Sequence, residues 1–111
     1  MKRPPVPQSI PVPDEALAQM AVFFRAASDA GRLKLLSWLM TREATVTELA
    51  TLAKLPMSTV SQQLRLLRNE KLVKRRRSGK QLFYSLADAP VHELFAVGLA
   101  YASRDDGRAE R

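Results

Sequence analysis

Apolar residues recur at Val60, Leu64 and Leu67, and the stem of Lys71 continues the row. That spacing predicts a helix from about Pro56 to Leu72 packed on one side only. Its opposite face carries Ser58, Ser61, Gln62, Arg65 and Asn69, again three and four apart, so short hydrogen-bonding side chains and an arginine share one solvent-facing stripe. Upstream, Asp14 and Glu15 follow Pro13, as acids do at a helix start, and a first helix runs to about Ala27 with Leu17, Met20, Ala21, Phe23, Phe24 and Ala27 as its apolar set. Ser28 or Asp29 caps a second helix through Met40, carrying Leu33, Leu35, Leu36, Leu39 and Met40, with Trp38 in or near the core. Thr45–Val46 reads as a short extended piece. Thr47 reads as the N-cap of a helix over Glu48 to Lys54 with Leu49, Leu52 and Ala53 inward.

Pro56 suits the first position of the next helix, where its missing N–H costs nothing, and two helices this close must cross steeply, as in a helix-turn-helix. After it, Leu72 to Arg77 and Gln81 to Leu86 form β-prone runs around Ser78-Gly79, where glycine supplies the positive φ of a tight turn. Leu82, Tyr84 and Leu86 alternate with Phe83 and Ser85, so one face of this hairpin packs while the arginines stay wet.

Asp88 reads as the N-cap of a last helix from about Pro90 to Ser103. From Leu94 to Ala102 that helix is apolar without a break, so it must be buried on more than one side. A chain of 111 residues covers one of those sides, and a second copy is expected to cover the other. Gly98 and Ala102 make a small-residue strip for close helix approach, and the expected dimer face comprises Leu17, Val91, Leu94, Phe95, Gly98, Leu99 and Ala102. A central core helix of a monomer is the alternative. The expected fold is mainly α with a small β-hairpin (α+β), in the order α-α-α-α-β-β-α. Residues 1–13, holding five prolines, are expected to be a disordered arm, residues 14–103 one domain, and residues 104–111 a flexible charged tail.

Charge changes the picture most. Between Arg65 and Lys80 lie eight basic residues and one acid, a net +7, which equals the net charge of the whole chain. Such localisation is the footprint of polyanion binding, because each cation near a phosphate releases condensed counterions. It lies on the hairpin beside a helix whose outer face carries the side chains that match base edges in the major groove. Double-stranded DNA is therefore the expected partner, with Met57, Ser58, Thr59, Ser61, Gln62, Arg65, Arg75, Arg76, Arg77 and Lys80 as the candidate contacts. The alternatives are a winged-helix protein-interaction module, which would not need the basic segment, and DNA binding without sequence choice.

The chain has no cysteine, which excludes disulfides, thiolate metal sites and thiol nucleophiles, and its single histidine, His92, leaves little for acid/base catalysis. No constellation of nucleophile, base and oxyanion donor is present, so an enzyme is not expected. No apolar run approaches the roughly 20 residues of a membrane span, and the N-terminus lacks the apolar region of a signal peptide, so the cytoplasm is the expected location.

From about Ala16 to Ala102 the chain resembles the ArsR/SmtB family of bacterial winged-helix repressors. Ser28-Asp29-Ala30-Gly31-Arg32-Leu33-Lys34-Leu35-Leu36 is similar to the family's D-P-x-R-L-x-I-L segment, Leu55 to Leu67 to L-S-Q-S-x-V-S-x-H-L-x-x-L, and Gly79 to Leu86 to G-x-x-x-x-Y-x-L. The resemblance implies a homodimer that sits on an operator and leaves it when an effector binds. By motif position it places Met57, Ser58, Ser61 and Gln62 on the DNA, with wing contacts near Arg77 and Lys80. Met57 stands where the family often has Gln, and Gln62 where it often has His. The family's metal sites do not carry over. The Thr47–Leu52 region has no thiolate, and although Asp88 matches a last-helix ligand, Pro90, Tyr101 and Arg104 stand at the others. Asp88 and His92, four apart, could meet on one helix face with Asp105 or Asp106 of the partner subunit, but Asp88 has a sufficient task as a cap. No metal, no cofactor and an inducer other than a thiol-bound metal are expected.

Overall fold

The computed structural model describes residues 12–104, in the order α1 (Asp14–Ala26), α2 (Ala30–Leu39), α3 (Val46–Ala53), α4 (Met57–Asn69), β1 (Val73–Ser78), β2 (Gln81–Leu86) and α5 (Ala89–Ser103). Most of the expected arm and tail, together with Asp105 and Asp106, lie outside the described residues.

Local chemistry explains where these helices start and stop. Asp29 caps α2 by accepting a hydrogen bond from the Arg32 N–H at 3.0 Å, and Asp88 caps α5 by accepting from the Val91 N–H at 3.1 Å. At α3 the cap is Thr45, not Thr47. Thr45 Oγ1 accepts from the Glu48 N–H at 3.1 Å while Glu48 Oε1 accepts from the Thr45 N–H at 3.0 Å. That reciprocal pair requires an acid or amide three residues after the cap, which Thr45 has in Glu48 and Thr47 lacks, since Ala50 stands there. The extended piece accordingly shifts back: Ala44, rather than Thr45–Val46, pairs with Tyr84 through N–H···O bonds of 3.0 and 2.8 Å.

Both helices of the helix-turn-helix end in the same device. Lys54 after α3 (φ 58°) and Lys71 after α4 (φ 64°) adopt the left-handed conformation. The next N–H reaches back five residues, Leu55 to the Ala50 carbonyl at 3.1 Å and Leu72 to the Leu67 carbonyl at 2.9 Å. This is the Schellman closure, which satisfies carbonyls left over at a helix C-terminus and turns the chain sharply. It corrects two expectations about α4. The helix stops at Asn69, short of Leu72, and Lys71 is exposed while Leu72 takes the inward place. Pro56 is likewise extended (ψ 144°) and stands at the N-cap, so Met57 is the first helical residue.

The core lies where α2, α3, α4 and the hairpin meet, with Leu35, Leu36, Leu49, Val60, Leu64 and Leu67 fully buried and Trp38 packed against its edge. The strands pair antiparallel from Val73↔Leu86 to Ser78↔Gln81, so the turn is Gly79-Lys80, one residue later than expected. Gly79 takes φ +63° at its first central position, the place where a primed hairpin turn demands glycine.

The two terminal helices are mostly unburied. Only Ala26 of α1 is buried, and Leu17, Met20 and Phe24 are about half exposed. On α5 only Val91 and Phe95 are buried, against the chain's own core. These two residues, expected at a dimer face, are therefore occupied within the protomer, where α5 packs next to β2 and they join the same buried cluster as Leu86 and Tyr84. Leu94, Val97, Leu99 and Tyr101 remain open, Val97 at 68%. Between α5 and the α1–α2 pair runs a groove of about 1340 Å³ lined by Phe23, Phe24, Leu33, Leu94, Val97 and Tyr101 among others.

Candidate nucleic-acid interface

Helix α4 has two unlike faces. Val60, Leu64 and Leu67 are fully buried, which fixes the rotation of the helix about its axis. That rotation turns Met57, Ser58, Ser61, Gln62, Arg65 and Asn69 outward, all exposed, while Thr59 lies at the margin and is half-buried. The N-terminus of α4 has no side-chain cap, because Pro56 offers neither hydroxyl nor carboxylate. The row of Ser58, Ser61, Gln62 and Arg65 is thus presented by a rigid element rather than by a loop.

The hairpin carries its cations on both faces. Successive side chains alternate along a strand, so Arg75 and Arg77 share the side of Val73, and Lys74 and Arg76 take the other. Arg75 Nη1 donates to the Tyr84 hydroxyl at 3.4 Å. Arg77 and Lys80 are exposed near the turn. Arg76 is exposed, as the sequence suggests, but it is paired. Its Nε donates to both carboxylate oxygens of Glu43, at 3.2 and 3.1 Å, its Nη2 donates to Oε1, and its guanidinium lies 5.0 Å from the Phe83 ring centroid. The hydrogen bond from Arg76 holds the Glu43 carboxyl below the usual carboxylate range, and the same bond raises the Arg76 pKa. No sequence signal marks Glu43, which is 33 positions away and meets Arg76 only because Ala44 pairs with Tyr84.

Behind α4 lies a second polar arrangement the sequence reading missed. Arg32, on the first turn of α2, donates from Nε to the Ala26 carbonyl at 3.0 Å, from Nη2 to the Arg25 carbonyl at 3.1 Å and from Nη1 to Gln63 Oε1 at 3.3 Å. The signal available was its place in the segment from Ser28 to Leu36, which named the residue without giving it a task.

The order of helices, the short α3–α4 turn and the basic hairpin that follows make a winged helix-turn-helix. The sequence profile of the bacterial regulatory proteins of the arsR family matches residues 29–75. The chain is 40% identical over 86 residues to the HTH-type transcriptional regulator NmtR of Mycobacterium tuberculosis, a match covering 78% of this chain and 72% of that protein. The chain belongs to the arsR family. Among other family relatives, the transcriptional repressor SmtB homolog of Synechocystis is 49% identical over 77 residues, 69% of this chain but 58% of its own length. The chain thus spans less than two thirds of that repressor. A homodimeric winged helix-turn-helix DNA-binding domain from Mycobacterium bovis, solved by NMR, superposes with a TM-score of 0.75 at 31% identity, covering 80% of this chain and 82% of that one.

For an arsR-family chain the winged helix-turn-helix fold follows directly, and the family is one of bacterial regulatory proteins. Among the described residues, no group of three His, Asp or Glu side chains is placed to hold a metal ion. Asp88 spends its carboxylate on the α5 cap, and His92 is exposed. No helix of the described residues is long and apolar enough to cross a membrane.

Proposed function

We propose that the chain is a homodimeric, sequence-specific repressor of transcription that acts in the cytoplasm. In this reading Ser58, Ser61, Gln62 and Arg65 of α4 meet base edges and flanking phosphates in the major groove, Met57 touches the groove at the helix start, and Arg75, Arg77 and Lys80 carry the wing onto the adjacent backbone. The observation that carries it is the two-faced α4, anchored by three fully buried residues, beside a hairpin within a segment of net +7. The uncapped N-terminus of α4 adds donors suited to a phosphate. Dimerisation is supported by the open apolar faces of α1 and α5, where Leu17, Leu94, Gly98, Leu99 and Ala102 are all exposed. A patch of that kind on one protomer marks an interface, and the two-fold it implies suits an operator whose half-sites lie about 34–36 Å apart. The inducer is a species other than a thiol-bound metal.

The experiment is selection of duplexes from a randomised pool by the full chain, followed by footprinting. A pair of inverted half-sites is expected. Gln62→Ala should cost about 1–3 kcal/mol on the selected duplex and much less on random duplex. Equal losses on both would make Gln62 a backbone contact, and a pool that never enriches would replace sequence-specific regulation by non-specific DNA binding or protein docking.

A further inference from the structure

Helix α1 buries a single residue on its own chain, Ala26 at its last turn. Phe23, half-buried, also packs against the core, and the remaining hold on the helix is polar and sits at the same end. The Ala26 carbonyl accepts from Arg32 Nε, and the Arg25 carbonyl accepts from Arg32 Nη2 as well as from the Ser28 N–H at 3.2 Å and Ser28 Oγ at 2.7 Å. The remaining terminal nitrogen, Nη1, reaches the Gln63 side chain on α4, and the Arg32 backbone is itself pinned by the Asp29 cap. A guanidinium is a flat fork with its donors in fixed directions, so three simultaneous acceptors on two other helices determine its plane and thereby their relative placement. Gln63 directly precedes the buried Leu64 and follows Gln62 of the candidate reading face.

We propose that Arg32 is a positioning residue for DNA recognition: through Gln63 it locks α1, one half of the proposed dimer face, to the recognition helix α4, and so sets the separation of the two recognition helices in the dimer. The inference rests on the dimeric DNA-binding reading above. Geometry gives the lever its size. A helix of 13 residues is about 20 Å long, so a tilt of about 10° at the Arg32 end moves the far end by about 3.5 Å, close to the rise of one base pair. A small loosening at Gln63 is therefore read as an error in half-site spacing.

The test uses the duplex selected by the wild-type chain, the same duplex with one base pair inserted or removed at its centre, and a random duplex, with sedimentation at each protein concentration. Gln63→Leu, which keeps Arg32 on α1 but drops the link to α4, should weaken binding to the selected spacing about three- to tenfold, the worth of one hydrogen bond. It should leave random-duplex affinity and the dimer unchanged, and reduce the preference for the selected spacing over the altered ones. Arg32→Lys, which cannot fork, should do the same, and Gln63→Glu, which keeps an acceptor, should retain the preference. A Gln63→Leu protein with undiminished spacing preference overturns the proposal, as does a loss equal on selected and random duplex or one that follows dissociation to monomers. A wild-type chain that enriches no duplex at all removes the functional reading itself, and is distinguished by that arm alone.

Discussion

Arg76 and Arg77 are neighbours in sequence and carry the same charge, yet the structure predicts that they contribute unequally to DNA binding. Each Lys or Arg that neutralises a phosphate adds about 0.9 to the slope of log affinity against log salt. Arg77 is exposed near the wing tip, with no acidic partner among the described residues. Arg77→Ala should therefore flatten the slope by about 0.9, so that its disadvantage shrinks about 3.5-fold between 50 and 200 mM salt. Arg76 starts from a different state, bonded to both oxygens of Glu43 and stacked near Phe83. To reach a phosphate it must abandon a carboxylate, and the freed Glu43 then faces the polyanion. The gain on one side is offset on the other, so Arg76→Ala should change the slope by well under half of the Arg77 effect. Glu43→Gln should release Arg76, raising affinity at low salt and steepening the slope by up to about 0.9. The assay is fluorescence anisotropy of the selected duplex titrated at several salt concentrations. Equal flattening by Arg76→Ala and Arg77→Ala, with Glu43→Gln inert, would refute the reasoning. The same pair has an acid signature. Because the Glu43 pKa is lowered in the folded chain, its contribution to stability is present above the ordinary value of 4.5 and is lost as pH falls through the lowered one. The wild type should thus lose ground to Glu43→Gln only at the acidic end of a denaturation series.

Three further outcomes are expected. A Cβ built at Gly98 meets nothing within 4 Å, so Gly98→Leu should leave the protomer as stable as before or more so while shifting sedimentation at micromolar concentration towards monomer; a wild type already monomeric there would remove the dimer. Lys54 holds φ 58° at the close of α3, a conformation that costs an L-residue more than glycine loses in entropy, so Lys54→Gly should raise the urea midpoint by the equivalent of about 0.5–1 kcal/mol at unchanged m; a drop would show that the lysine stem is packing. Thr45→Ala removes one half of the reciprocal cap and should cost about 1 kcal/mol in the same titration, with Thr47→Ala near neutral.

The seven elements and their order were legible in the chain because the signals that define them span only a few residues. The 3–4 spacing of Val60, Leu64 and Leu67, the caps at Asp29 and Asp88 and the glycine of the wing turn each act within one turn of backbone. The errors of register were local too. Thr47 in place of Thr45, and a turn set one residue early, are choices between adjacent residues of similar propensity, decided by hydrogen-bond partners that only the assembled backbone brings into reach. What tertiary structure alone decided are the pairings across long separations. Nothing near Arg76 announces that Glu43 will hold it, and nothing near Arg32 announces Gln63, 31 positions on. The last helix shows the same division. Its unbroken apolar run called for burial on two sides, but which residues the protomer would take, Val91 and Phe95, and which it would leave open, Leu94, Val97 and Leu99, depended on how α5 docks on β2. Hydrophobicity supplies the drive to be covered without a direction, and direction comes from the shape of the surface already folded beneath.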